Sequence, residues 1–221
     1  MNFVTRCALT VLFAFSAVVL GDAAQAAADI SKVNASVKVE PGQQVGDVST
    51  VNGSVTIGAG ARAGEVETVN GSLKIEDKAV VGSAETVNGS ITVGADAEVQ
   101  KGVDAVNGSL TLRQGAKVAG GLENVNGSML VEGARVEGGI ETVNGDIRLA
   151  TGSHVTGGIH VEEHKSSWWK GKDSRNPRIT IEQGVTVEGP LHFERAVDLY
   201  VAPGVNLPPV EGVQPQRFTL Q

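Results

Sequence analysis

The tripeptide Val-Asn-Gly returns at a nearly fixed interval, and this period constrains the fold more tightly than any other feature of the chain. It stands at Val51-Asn52-Gly53, Val69-Asn70-Gly71, Val87-Asn88-Gly89, Val106-Asn107-Gly108, Val125-Asn126-Gly127 and Val143-Asn144-Gly145, with a degenerate copy at Val33-Asn34-Ala35. Successive asparagines stand 18, 18, 18, 19, 19 and 18 positions apart. Three residues after each Asn the chain is apolar (Val37, Val55, Leu73, Ile91, Leu110, Met129, Ile147). Two residues later it is apolar again (Val39, Ile57, Ile75, Val93, Leu112, Val131, Leu149). The residue between is polar in most copies, Leu130 being the exception. That alternation belongs to a half-buried strand. No stretch carries sustained helical spacing, and 29 glycines argue against helices.

One period holds two or three short strands and their corners, too short a stretch for a strand–helix–strand unit. The expected fold is all-β: a single-domain β-solenoid (parallel β-helix) of coils of about 18 residues, with equal columns stacked about 4.8 Å apart. Each coil cannot bury its own apolar face, but a stack makes one continuous core. A narrow prism of Val, Ile, Leu and Ala also explains why no Phe, Trp or Tyr occurs between Asp29 and Ser167. Asn and Gly tolerate left-handed backbone angles and suit a sharp corner. Stacked Asn34, Asn52, Asn70, Asn88, Asn107, Asn126 and Asn144 are expected to form an amide ladder. The competing arrangement makes Asn-Gly a two-residue hairpin turn in an antiparallel meander. Too few residues precede the Asn to supply its flanking strand. Asn-Gly-Ser also satisfies the N-glycosylation sequon five times, with Asn34-Ala35-Ser36 a sixth. Asn144-Gly145-Asp146 keeps the corner and loses the sequon, so the corner requirement is the better explanation.

The segment 1–28 has the order of a secretory signal: a short basic start, an apolar run from Cys7 to Leu20, and small residues at Ala24–Ala28. The only cysteine, Cys7, falls in the apolar run, so the mature chain is expected to carry neither disulfide nor thiol nucleophile. The expected location is periplasmic or extracellular, with no transmembrane span in the mature chain. A net charge of −7 disfavours nucleic acid as a partner. The domain layout expected is a signal peptide over 1–28, a solenoid over 29–207 and a Pro-containing tail over 208–221.

The repeat breaks after Val161, which reads as the Val of a corner with Glu162 in place of Asn. The apolar pair resumes only at Ile179 and Ile181. An insertion of about fourteen residues is therefore expected, as a loop at 163–178 on one edge of the solenoid. The insert is basic and holds both tryptophans, so Trp168, Trp169, Lys170, Lys172 and Arg175 are candidate partner-binding residues. The Trp pair could stack on a sugar, lie at a membrane interface, anchor a protein, or fold back over a coil. His160-Val161-Glu162-Glu163-His164 matches the H-x-x-E-H pattern of inverted zinc peptidases, but that chemistry needs a helix and this stretch reads as a strand entering a loop. No catalytic residue, metal or cofactor is therefore expected. Acidic positions read as scattered over variable columns. A threonine file for ice binding fails because Thr50, Thr68, Thr86 and Thr142 share a column with Lys32, Ala105 and Asn124.

The run Ile179-Thr180-Ile181-Glu182-Gln183-Gly184-Val185-Thr186-Val187-Glu188-Gly189, and the shorter Ala134-Arg135-Val136-Glu137-Gly138-Gly139-Ile140, resemble the repeat of the bactofilins, polymer-forming bacterial β-helix proteins. The Val-Asn-Gly-Ser units are also similar to exported bacterial β-strand-repeat proteins described as adhesin-like. The resemblance implies a non-enzymatic scaffold or assembly module of the bacterial envelope, self-associating as a homo-oligomer or polymer. A second expectation is a surface adhesin that binds a glycan or another envelope protein through Trp168 and Trp169. A carbohydrate-active enzyme on a β-helix is the third.

Overall fold

The computed structural model describes residues 27–163 and 175–212, together with the backbone of residues 216–219. The expected signal segment up to residue 26, and Trp168, Trp169, Lys170 and Lys172, lie outside the described residues.

The chain winds as a three-sided parallel β-solenoid, and every strand pairing is parallel to the equivalent segment of the next coil. The first side is a ten-stranded sheet that begins with Val37–Val39 and Val55–Ile57. The second and third sides form one fifteen-stranded sheet, because Arg62–Asn70 and Val80–Asn88 run through both without a break. In later coils a corner separates them, as between Glu98–Val99 and Val103–Asn107. The parallel register excludes the hairpin meander.

Six inward columns fill the prism. In one coil they are Leu73, Ile75, Ala79, Val81, Ala84 and Thr86, each at most 3 % exposed. The corner column is small through most of the stack, running Ala61, Ala79, Ala97, Ala116, Ala134 and Ser153, and then admits Val185. Coil length is set at the corners and not in the strands. Val81 and Ala84 are three positions apart, whereas Val99 and Val103, their successors, are four apart. Between Val131 and Ala134 the opposite corner is one residue shorter than between Leu112 and Ala116. Coils that differ in length by one residue thus stack without a register slip, which would turn core residues to solvent.

One expectation changes, and two further columns find their side of the wall. The left-handed corner is elsewhere: Gly42, Gly60, Lys78, Asp96, Gly115, Gly133 and Gly152 share one column and all have φ between 55° and 83°. None of the seven ladder asparagines has positive φ, and neither do Gly53, Gly71, Gly89 or Gly145. The Val before each Asn is not a core residue; it faces outward, from Val33 at 61 % exposure to a small satellite cluster of Val106, Val125 and Val143. The threonine column faces inward, where Thr50, Thr68 and Thr86 donate to the carbonyls of Ala35, Gly53 and Gly71 at 2.9, 2.9 and 3.1 Å.

The register at the insert also shifts by one. Thr142 pairs with Val161, so Val161 belongs to the threonine column and Glu162 to the valine column. In a regular coil the asparagine column precedes the first core column by three positions (Asn144 to Ile147), against sixteen here (Glu163 to Ile179). Thirteen residues are inserted, not fourteen. Beyond Leu207 the Pro-containing segment adds a strand to each sheet: Val210–Gly212 on Leu191–Phe193, and Gln216–Thr219 on Asp198–Val201.

Candidate functional site

The asparagine column is a continuous ladder on the surface. Each Nδ2 donates to Oδ1 of the preceding coil: Asn52 to Asn34, Asn70 to Asn52, Asn88 to Asn70, Asn107 to Asn88, Asn126 to Asn107 and Asn144 to Asn126, all at 2.9–3.0 Å. All seven side chains are exposed, and the spacing of parallel strands brings each amide within reach of the next. The following glycine is required by close approach: a Cβ at Gly71 or Gly89 would strike the carbonyl oxygen of Gly53 or Gly71. Ala35 occupies that column in the first described coil, where no described coil lies beneath it. The serines after it form their own file, Ser36 Oγ accepting from Ser54 N–H and Ser54 Oγ from Ser72 N–H. Every residue of Asn-Gly-Ser therefore has a stacking role.

The two ends of the ladder differ. At the C-terminal end Arg195 Nη1 donates to Asn144 Oδ1 at 2.7 Å and to the Val143 carbonyl at 3.2 Å. At the N-terminal end Ile30–Lys32 and Val37–Val39 each pair on one side only among the described residues, beside exposed Val33.

Arg175, one of the candidate partner-binding residues, anchors the insert. Its Nη1 and Nη2 donate to Asp146 Oδ1 and Oδ2 at 2.8 and 2.9 Å, and the Arg178 N–H donates to Oδ1 at 2.9 Å. Asp146 stands in the serine column, in register with Ser128. Partial burial would raise its pKa, but the Arg175 bond and the Arg178 N–H outweigh that and hold it below the usual carboxylate value.

The outer face of the third side carries an acidic row, where the sequence alone reads as scattered charge. Glu67, Glu85, Asp104, Glu123 and Glu141 stack in one column, each paired with the next in register. Burial, then the charges of Glu85, Glu65 and Asp47, push Glu67 up to about 7. Glu85 is raised too, by burial first and then by Glu65. Each member stands three residues before a ladder asparagine, so counting back from the asparagines finds the row in the sequence. Past Glu141 the same column continues as His160, His192 and Glu211. The H-x-x-E-H stretch begins in the strand Ile159–Val161, and His164 lies outside the described residues. No family model, curated protein or solved structure matches this chain.

Proposed function

We propose that the protein is a non-enzymatic, exported β-helix scaffold of the bacterial envelope that self-associates through its N-terminal coil. The observation that carries this reading is the N-terminal edge: two strands that pair on one side only among the described residues, and Val33 at 61 % exposure beside them. Unpaired strand edges recruit further strands, and an exposed apolar side chain beside them favours burial against a second copy. The repeat's likeness to polymer-forming bactofilins agrees with this role, and the signal-like segment 1–28 agrees with a periplasmic or extracellular location. Light scattering across a concentration series, with electron microscopy of the same samples, tests the reading. Growth in mass that Val33→Lys abolishes supports it, and a monomer at every concentration removes it. Growth that stops at two copies assigns contact to the N-terminal end alone, whereas open-ended filaments also require the C-terminal strands.

A second reading, a surface adhesin or glycan-binding module using Trp168 and Trp169, is favoured by the bidentate Arg175–Asp146 anchor at the base of the insert. Loss of glycan or envelope-protein binding in Trp168→Ala and Trp169→Ala, with the solenoid intact, would select it.

A further inference from the structure

Two copies of one tripeptide pattern, His160-Val161-Glu162 and His192-Phe193-Glu194, stand on consecutive coils of the third side in register. Val161 and Phe193 are fully buried, so strand alternation turns both histidines and both glutamates to the same outer surface. The histidine rings meet edge to face at 5.1 Å, and Glu141 precedes His160 in the same column. One donor atom each from His160, His192 and Glu194 lie within 4.8 Å of one another. The same holds for Glu141, His160 and Glu162. We propose that this cluster binds a divalent transition-metal cation of the zinc class, through His160, His192 and Glu194, with Glu141 and Glu162 as neighbouring carboxylate donors.

The donor set decides the class of ion. Imidazole with carboxylate suits zinc, copper and nickel, whereas an all-carboxylate row suits calcium or magnesium. The geometry agrees. His160 Nε2 is shielded from solvent and has no hydrogen-bond partner among the described residues. Glu194 Oε1 lies 3.5 Å from it. That separation is long for a hydrogen bond, but two ligands about 2.0–2.1 Å from one tetrahedral zinc lie about 3.3 Å apart. The second oxygen of Glu194 accepts from the Glu163 N–H at 3.0 Å, which orients the carboxylate. His192 Nδ1 lies 3.7 Å from Glu211 Oε2, beyond hydrogen-bond distance but close enough to add a further negative charge beside the imidazole. Both histidines sit in strands held by core neighbours on either side, Ile159 and Val161 for one, Leu191 and Phe193 for the other. A cleft of about 190 Å³ opens beside them, kept clear of side chains by Gly139, Gly157 and Gly158. His154 offers the contrast: its Nε2 already meets Glu188 at 2.6 Å and its Nδ1 meets Arg135 at 3.2 Å.

The test is calorimetric titration of tag-free, chelator-treated protein with Zn²⁺ alone. Saturable binding at one site is expected, weakened at least tenfold by His160→Gln, His192→Gln or Glu194→Gln and unchanged by His154→Gln. Circular dichroism checks that each variant is folded. Independently of any substitution, Cu²⁺ should broaden the ring resonances of His160 and His192 before those of His154. Absence of saturable binding overturns the proposal. So does affinity that survives both His160→Gln and His192→Gln, or broadening that reaches His154 equally early.

Discussion

At the scale of single residues, the repeat divides labour between an exposed hydrogen-bonding column and a column where nothing but hydrogen fits. Asn88 accepts from Asn107 and donates to Asn70 at the surface, where water competes for both bonds. Asn88→Leu should therefore cost only about 1 kcal/mol. Gly89→Ala must push two coils apart, because its Cβ meets the Gly71 carbonyl, and should cost more, about 2–3 kcal/mol. Thermal unfolding of the two variants side by side checks the order; an equal loss would mean that the ladder is worth more than its exposure implies. Glu67 gives a signed pH effect. A carboxyl raised to about 7 in the folded chain, against its ordinary value of 4.5, leaves stability intact below pH 4.5 and removes it as pH rises through 7. Glu67→Gln should raise the unfolding temperature at pH 8 and leave it nearly unchanged at pH 4. The amide ladder was legible from the asparagine spacing alone. The burial of Thr50, Thr68 and Thr86 was not, because a hydroxyl in a strand reads as solvent-facing until a carbonyl is found for it.

At the scale of elements, strands are fixed and corners are free. The alternation of Val37 with Val39, and of their counterparts, specifies the first side from sequence alone. The second side is harder to read, since a two-residue strand such as Lys117–Val118 carries almost no periodicity. The acidic row was within reach, since Glu67, Glu85, Asp104, Glu123 and Glu141 each precede a ladder asparagine by three, but the column opens with Ser31 and Ser49 and so does not read as acidic throughout. The large insert enters at a corner too, tied down where Asp146 replaces serine. Asp146→Ser removes the two carboxylate oxygens that hold Arg175, while a serine hydroxyl there can still accept from the Arg178 N–H as elsewhere in the serine file. Because Trp168 and Trp169 are the only tryptophans in the chain, their emission reports on the insert directly. The variant should change that emission and speed tryptic cleavage after Lys170 and Lys172, while far-UV circular dichroism stays that of the parent. With Asp146 held below its usual pKa, the wild-type anchor should persist at neutral pH and fail as pH falls through that lowered value.

At the scale of the whole molecule, stability is a sum over coils and their interfaces. Excising 71–88, one full coil, joins Asn70 to Gly89 and leaves every column continuous. The shortened chain should keep its circular dichroism shape and unfold at a lower temperature. The period made this architecture readable from sequence. The meeting of His160 with His192, on either side of the insert, depends on a register that the broken repeat conceals.

The ladder has a further, electrical consequence. Seven side-chain amides point the same way along the axis, N–H toward the first coil and C=O toward the last, so their dipoles add much as peptide dipoles add in a helix. Arg195 places a cation at the negative pole, on Asn144. The positive pole is the NH₂ of Asn34, and a carboxylate or a carbonyl oxygen from outside is the group that end attracts.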